Sequence, residues 1–268
     1  MEILREFFGY GEKGYTRQPS GAYSAEHLIF VTSVLVFMAA LAVVLGRRNR
    51  QRPWDKKNSV LIWAAVAING FELIKIVAKC LDNGLDAVIN LLPLYLCSVQ
   101  LIAIPLAALS KGRLREAALD FVCILGPLGA LAGTYGASQN YACFPVLSAD
   151  NVISGLTHGI SGFAAVYIMV SGMASLKRKN MPITYVIILC FCIPAYVVNY
   201  REGTNYMFLM RSDGTPYEIL YQLVDGHRVL YPLGVVLLFF IYIAAFYQVY
   251  YMIAGARAHR RARLLARR

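Results

Sequence analysis

"LLPLYLCSVQLIAIPLAAL", residues 91–109, has the length of a membrane crossing but not the uniform character of one. It packs Pro93, Tyr95, Cys97, Ser98 and Gln100 into its first ten positions. A run of about 17 to 25 mainly apolar residues crosses a ~30 Å hydrocarbon layer as a helix. Reading Leu91–Leu109 as such a span makes the total seven, an odd number that puts the two termini on opposite sides.

The other six spans are plainer. They fall at Ala25–Gly46, Ser59–Cys80, Glu116–Tyr135, Val152–Met173, Pro182–Tyr200 and Val229–Ile253. With 58% hydrophobic and only 15% charged residues, the chain has longer apolar runs than a soluble core needs. Short alternating strands, the mark of a membrane β-barrel, are missing from the pattern. The predicted fold class is all-α, a polytopic bundle of seven transmembrane helices in a cell membrane. Residues 1–24 form an extracytoplasmic segment and 25–253 the bundle, with a re-entrant or interfacial loop at 201–228. Residues 254–268 form a basic cytoplasmic tail.

A net charge of +11 raises nucleic acid as a partner, but its placement argues against one. Basic residues cluster after the first, third, fifth and seventh spans, at 47–57, 111–115, 177–179 and 257–268. The loops after the second and fourth spans carry no Lys or Arg, and hold Asp82, Asp86 and Asp150 instead. The positive-inside rule then puts the N-terminus outside and the C-terminus in the cytoplasm. The tail "ARAHRRARLLARR" reads first as a topology signal, and anionic lipid is a secondary partner for it.

Polar groups inside hydrocarbon are costly, so their placement is informative. Cys97 lies roughly 9 Å below the outer end of the third span at 1.5 Å rise per residue, and His158 in the fifth span lies at nearly the same depth. Pro93, Cys97, Gln100 and Ile104 have the spacing of one helix face, as do Ser154, Thr157, His158 and Ser161. Gly155, Gly159 and Gly162 allow close backbone approach. Two such stripes at matched depth predict a shared cavity. Glu26, His27, Asn69, Glu72, Lys75 and Lys79 add polarity in the same half of the bundle. Each has a blander reading: hydroxyls bond to helix carbonyls, a lone cysteine is a small hydrophobe, and Glu72 with Lys75 is an ion pair on helical spacing. Six cysteines show no zinc-type spacing, so no metal site is expected from them, although scattered histidines could still converge on one in space.

Cysteine with histidine suggests nucleophilic chemistry. A buried thiol is inert unless a base takes its proton, and His158 is the candidate base for Cys97. The resulting thiolate can attack an ester carbonyl, and at this depth the natural ester is the glycerol–acyl linkage of a phospholipid. The loop "NYREGTNYMFLMRSDGTPYEILYQLVDGHRVLYP", residues 199–232, is too apolar to float in water. In it Asn205 is a candidate oxyanion donor, Arg201 and Arg211 candidate phosphate holders, and His227 a candidate partner of His158. The competing classes are a lipid or solute transporter, a receptor-like binding bundle, a lipid-ester hydrolase, and an assembly protein with no reaction of its own. Polar residues concentrated in one half of the spans disfavour a path across the membrane.

Seven spans, "LLPLYLC" opening the third, the "THG" histidine of the fifth and "NYMFLM…DG…PY" before the seventh together resemble the YwaF-type bacterial membrane proteins. These are similar to the eukaryotic transmembrane protein 164 family of phospholipid acyltransferases. The resemblance covers most of the chain and implies transfer of acyl chains between membrane phospholipids and lysophospholipids without a soluble cofactor. It implies functional roles for His158, for His227 in "DGH" and for Asn205. The eukaryotic branch carries its thiol directly after the proline and follows it with histidine. Here Pro93 is followed by Leu94 and Tyr95, and the available thiol is Cys97, one turn deeper. Bacterial relatives tend to have histidine at the position of Tyr95, which joins Gln100, His27 and Glu72 as a supporting residue.

Overall fold

A computed structural model describes residues 2–9, 14–84, 88–174 and 176–265, with the stretch from Arg257 described by its backbone alone. Asp86, parts of the N-terminal segment and the last three residues of the basic tail lie outside the described residues. Every regular element among the described residues is helical. The chain divides into two compact units, Met1–Ala174 and Ser175–Arg268.

The first unit holds α1 (Glu2–Phe8), α2 (Ala25–Asn49), α3 (Trp54–Asn83), α4 (Val88–Leu91), α5 (Gln100–Leu109), α6 (Gly112–Tyr135), α7 (Ser138–Cys143) and α8 (Ala149–Ser171). Four of the expected spans are present here as α2, α3, α6 and α8, each long and apolar enough to cross a bilayer. Their ends follow local chemistry. Ser24 and Ser148 accept hydrogen bonds from the backbone N–H of His27 and Asn151, the usual N-cap contact, and Gly172 closes α8 in the left-handed conformation.

The third span departs from expectation. Leu91–Leu109 is not one helix: α4 ends at Leu91, the backbone of Leu92–Tyr95 is irregular, and a 3-10 turn over Leu96–Val99 leads into α5. The stripe that was to run from Pro93 to Ile104 is therefore broken, with only Gln100 and Ile104 on α-helix. Ten residues of α5 rise about 15 Å, half of the hydrocarbon thickness. Pro93 explains the break, because it has no N–H to donate and biases the preceding residue away from helix. Among the described residues there are six helices long and apolar enough to span, and the shorter apolar stretch Leu96–Leu109.

Side-chain contacts to the backbone set the level of each element. Asn58 Nδ2 donates to the carbonyl of Ala108 and Asn69 Nδ2 to that of Leu101, both at 2.9 Å, so α5 runs antiparallel beside the first half of α3. Its N-terminus consequently lies level with Asn69, at the midpoint of α3. α3 packs against α5 and α8, and α6 packs against the same two, so these four close a ring. α5 and α8 sit at opposite corners of it, where the sequence had them facing each other directly. α2 packs on the outside of α8, where Phe30 lies close against Gly155, and Val34 and Met38 against Gly159.

In the second unit, α9 (Met181–Glu202) packs against α11 (Leu230–Leu265), with Tyr185 stacked on Phe240 at 4.5 Å between ring centroids. Both are long and apolar enough to span. α11 continues without interruption through the start of the basic tail, which the sequence had treated as a separate segment. Between them lie a 3-10 turn at Tyr206–Phe208 and α10 (Glu218–Leu223).

Candidate functional site

The level of Asn69 to Lys75 on α3 is where polar groups of the first unit gather. Glu72 is 8% exposed and pairs with the Lys75 ammonium at 2.6 Å. His158 reaches the same level from α8, as the contacts flanking it require: Lys79 meets Asp150 at 2.8 Å above, and the Tyr167 hydroxyl donates to the carbonyl of Lys57 at 2.9 Å below. Cys97 stands in the 3-10 turn that precedes α5, half-buried, and Gln100 is the first residue of α5. The charge of Lys75 acts on both Cys97 and His158, which places the three in one neighbourhood.

His158 owes its position to glycine. Its imidazole is 9% exposed and lies flat on α6, where a Cβ at Gly133 would fall on the ring itself. One ring nitrogen is directed at the carbonyl of Gly129. Ser161 Oγ donates to the carbonyl of Gly126 at 3.3 Å, and a Cβ at Gly162 would meet that of Ala130 at 2.9 Å. The segment "GPLGALAG", residues 126–133, is thus the close-packing face that admits α8 and its histidine. The sequence pointed to the glycines of α8 and passed over those of α6. Among the described residues no hydrogen bond joins Cys97 to His158, and Thr157 bonds back to the carbonyl of Ser154.

Other candidates are fully employed elsewhere. His27 is completely buried; its Nδ1 accepts the N–H of Tyr23 at 3.0 Å, its Nε2 lies 3.2 Å from the carbonyl of Thr134, and its ring stacks on Tyr141 at 3.7 Å. With Nδ1 accepting, Nε2 must carry the proton and donate, so His27 pins the start of α2 to the end of α6. Tyr95 is 41% exposed in the irregular stretch. Cys80 and Cys143 are free thiols.

The loop candidates belong to the second unit. Asn205 Nδ2 donates to the carbonyl of Arg211 and to Asp213 Oδ2, while its Oδ1 accepts the N–H groups of Met210 and Arg211, all within 2.7 to 3.1 Å. Such an amide has no N–H left for an oxyanion, and its work is to shape the loop. Asn199, 1% exposed, does the same one step earlier: it donates to the carbonyl of Tyr206 at 2.9 Å and accepts that residue's N–H at 2.7 Å. These bonds hold Met207 and Phe208 at φ of 54° and 55° and seat Met207 against Cys192, Sδ to Sγ 3.7 Å. His227 is exposed, and its Nδ1 faces the N–H groups of Val229 and Leu230 at 3.3 Å, capping α11. Arg211 pairs with Asp213 at 3.4 Å and Arg201 is exposed at the end of α9.

A cleft beside the site is lined by Phe8, Lys75, Ala78, Lys79, Asp82 and Asp150, among others. The N-terminal segment docks at its edge, where the Tyr15 hydroxyl donates to Asp150 Oδ2 at 2.9 Å. Burial, with the Asp150 carboxylate beside it, pushes the Tyr15 phenol above its ordinary range, so it stays a donor. The Thr16 hydroxyl and N–H donate to Glu6 and hold that carboxyl below the usual range.

Comparison with known protein families gives one match, the TMEM164 family, over residues 22–250. Comparison with curated proteins gives no match, and neither does comparison with solved structures. The matched range takes in every element from α2 through most of α11, and so His158, Cys97, Gln100 and the loop candidates, while Glu6, Phe8, Tyr15 and Thr16 precede it.

Proposed function

The chain belongs to the TMEM164 family of multi-pass membrane proteins, and from that premise we propose that it moves fatty acyl chains between glycerophospholipids. It passes the bilayer seven times, the third pass being the broken segment that ends in α5, with the N-terminus outside and the C-terminus in the cytoplasm. The observation that carries the reading is the His158 imidazole, buried at mid-bundle on the glycine face of α6 with Cys97 and the Glu72–Lys75 pair at the same level. A base and a thiol at one level of a ring of membrane helices suit ester exchange.

In the covalent version His158 takes the proton of Cys97 Sγ, and the thiolate adds to the ester carbonyl of the donor lipid. The carbon–oxygen bond then breaks, and the lysolipid leaves with the proton from His158. The acceptor's hydroxyl gives its proton to His158 and attacks the thioester; the carbon–sulfur bond breaks, and the released thiolate takes that proton back from His158. In the direct version His158 activates the acceptor hydroxyl for attack on the donor ester. The absence of a Cys97–His158 hydrogen bond among the described residues favours keeping this second version.

Purified protein mixed with a labelled phospholipid and a lysolipid tests both. Exchange is expected in the wild type and is expected to fall by about 10²–10⁴-fold in His158→Ala. Full activity in Cys97→Ser with no acyl adduct on the protein eliminates the thioester. Full activity in a folded His158→Ala removes the proposed site.

A further inference from the structure

Gln100 is 1% exposed, yet neither its Oε1 nor its Nε2 has a hydrogen-bond partner in the protein among the described residues. A buried amide with both ends unmatched costs about 1–3 kcal/mol, and a leucine in its place avoids that cost. Its position is equally specific. It opens α5, the half-length helix whose N-terminus lies at the midpoint of α3, and helical side chains lean back toward the N-terminus of their own helix. Because Gln100 is the first residue of α5, that lean carries the amide toward the 3-10 turn that bears Cys97.

A helix N-terminus carries partial positive charge and unpaired N–H groups, and half-helices that begin inside a membrane protein direct that end at negatively charged substrate atoms. Asn69 takes up the carbonyl of Leu101 and Val99 is fully buried, so the start of α5 is fixed rather than adaptable. We propose that Gln100 binds the ester carbonyl of the lipid, its Nε2–H meeting the oxygen on which negative charge develops, with the N-terminus of α5 behind it. The identity of the ester rests on the acyl-transfer reading; the presence of a polar ligand atom at Gln100 does not. The amide forms and breaks no covalent bond: it donates a hydrogen bond that strengthens as the carbonyl oxygen becomes an oxyanion.

Gln100→Leu and Gln100→Met keep the volume and remove the amide. Each protein, in detergent, is loaded with an equimolar diacyl phospholipid labelled with carbon-13 at its ester carbonyls. The labelled carbonyl stretch is expected at lower frequency in the wild type than in either variant. Turnover is expected to fall about 10²–10³-fold with a much smaller change in KM, while Tm stays level or rises. Identical carbonyl bands in wild type and folded variants overturn the inference. Unfolding of both variants also overturns it, because the amide would then be a structural partner. A band that moves in the variants although the wild type exchanges no acyl chains retains Gln100 as an ester-binding residue and removes the transferase reading.

Discussion

Two buried histidines in the same unit behave in opposite ways. At the end of the bundle nearest the N-terminal segment, His27 has a partner for each nitrogen and a tyrosine against its ring. At mid-bundle, His158 lies on bare glycine with one backbone carbonyl in reach. The same contrast separates Asn205, whose amide makes four hydrogen bonds, from Gln100, whose amide makes none among the described residues. Burial of a polar side chain therefore does not mark a site. Spare hydrogen-bonding capacity after burial is what separates Gln100 from these fully bonded side chains, and it is the observation on which its proposed role rests.

The strongest way to break this comparison is His27→Ala. It strands the Tyr23 N–H, takes one of the donors from the Thr134 carbonyl, which keeps the Ala137 N–H at 3.4 Å, and removes the stack on Tyr141, so a loss of about 2 kcal/mol in stability is expected. Thermal unfolding in detergent measures it. Activity per folded molecule should be retained, and a specific loss of turnover at full stability would mean that His27 belongs to the site.

Gly133→Ala sharpens the other side. Its methyl group would occupy the place of the His158 ring and displace it, and a misplaced base typically costs about tenfold to hundredfold in rate. Gly129→Ala is the control, since its Cβ would meet only Ser161 Oγ at an ordinary 3.5 Å. Equal turnover in the two alanine variants would show that the imidazole's seat on α6 is immaterial.

The smallest expected effect lies in the second unit. The Ser212 hydroxyl, and after it the Gln222 amide, donate to the Glu218 carboxylate and hold its carboxyl below the ordinary range. A carboxyl lowered in the folded state stabilises above its unfolded value and stops doing so as pH falls through the lowered one. Backbone amides of residues 212–223 should therefore lose protection on acidification, in hydrogen exchange corrected for intrinsic rates, and Glu218→Gln should flatten the dependence. Unchanged protection across the acid range would detach Glu218 from the order of the loop.

The six long helices were legible because twenty apolar residues in water have few alternatives: α2, α6, α8 and α9 begin and end within a few residues of the predicted limits, whereas α3 starts at Trp54 rather than Ser59 and α11 runs on from Ile253 to Leu265. The third apolar run was legible as a run but not as a break. Helical spacing from Pro93 to Ile104 is real in the sequence, and only the pairing of Asn58 and Asn69 with the α5 backbone shows where the helix starts. His158, Cys97 and Gln100 stood out as polarity in an apolar run. His27, Asn205 and His227 stood out equally, and nothing local could reveal that Thr134, Met210 or Leu230 would meet them. The role of "GPLGALAG" was hidden for a related reason: a glycine's meaning depends on what lies against it, which no single helix displays.

The irregular backbone of Leu92–Tyr95 has a consequence for how the protein is made. Unpaired peptide groups are not tolerated in hydrocarbon unless protein surrounds them, and α5 alone is too short to span. This stretch cannot rest in lipid as an independent unit when it leaves the ribosome. It has to wait for α6 to arrive beside it, with α3 already in place, so this part of the bundle is completed only after the longer helices on either side of it have inserted.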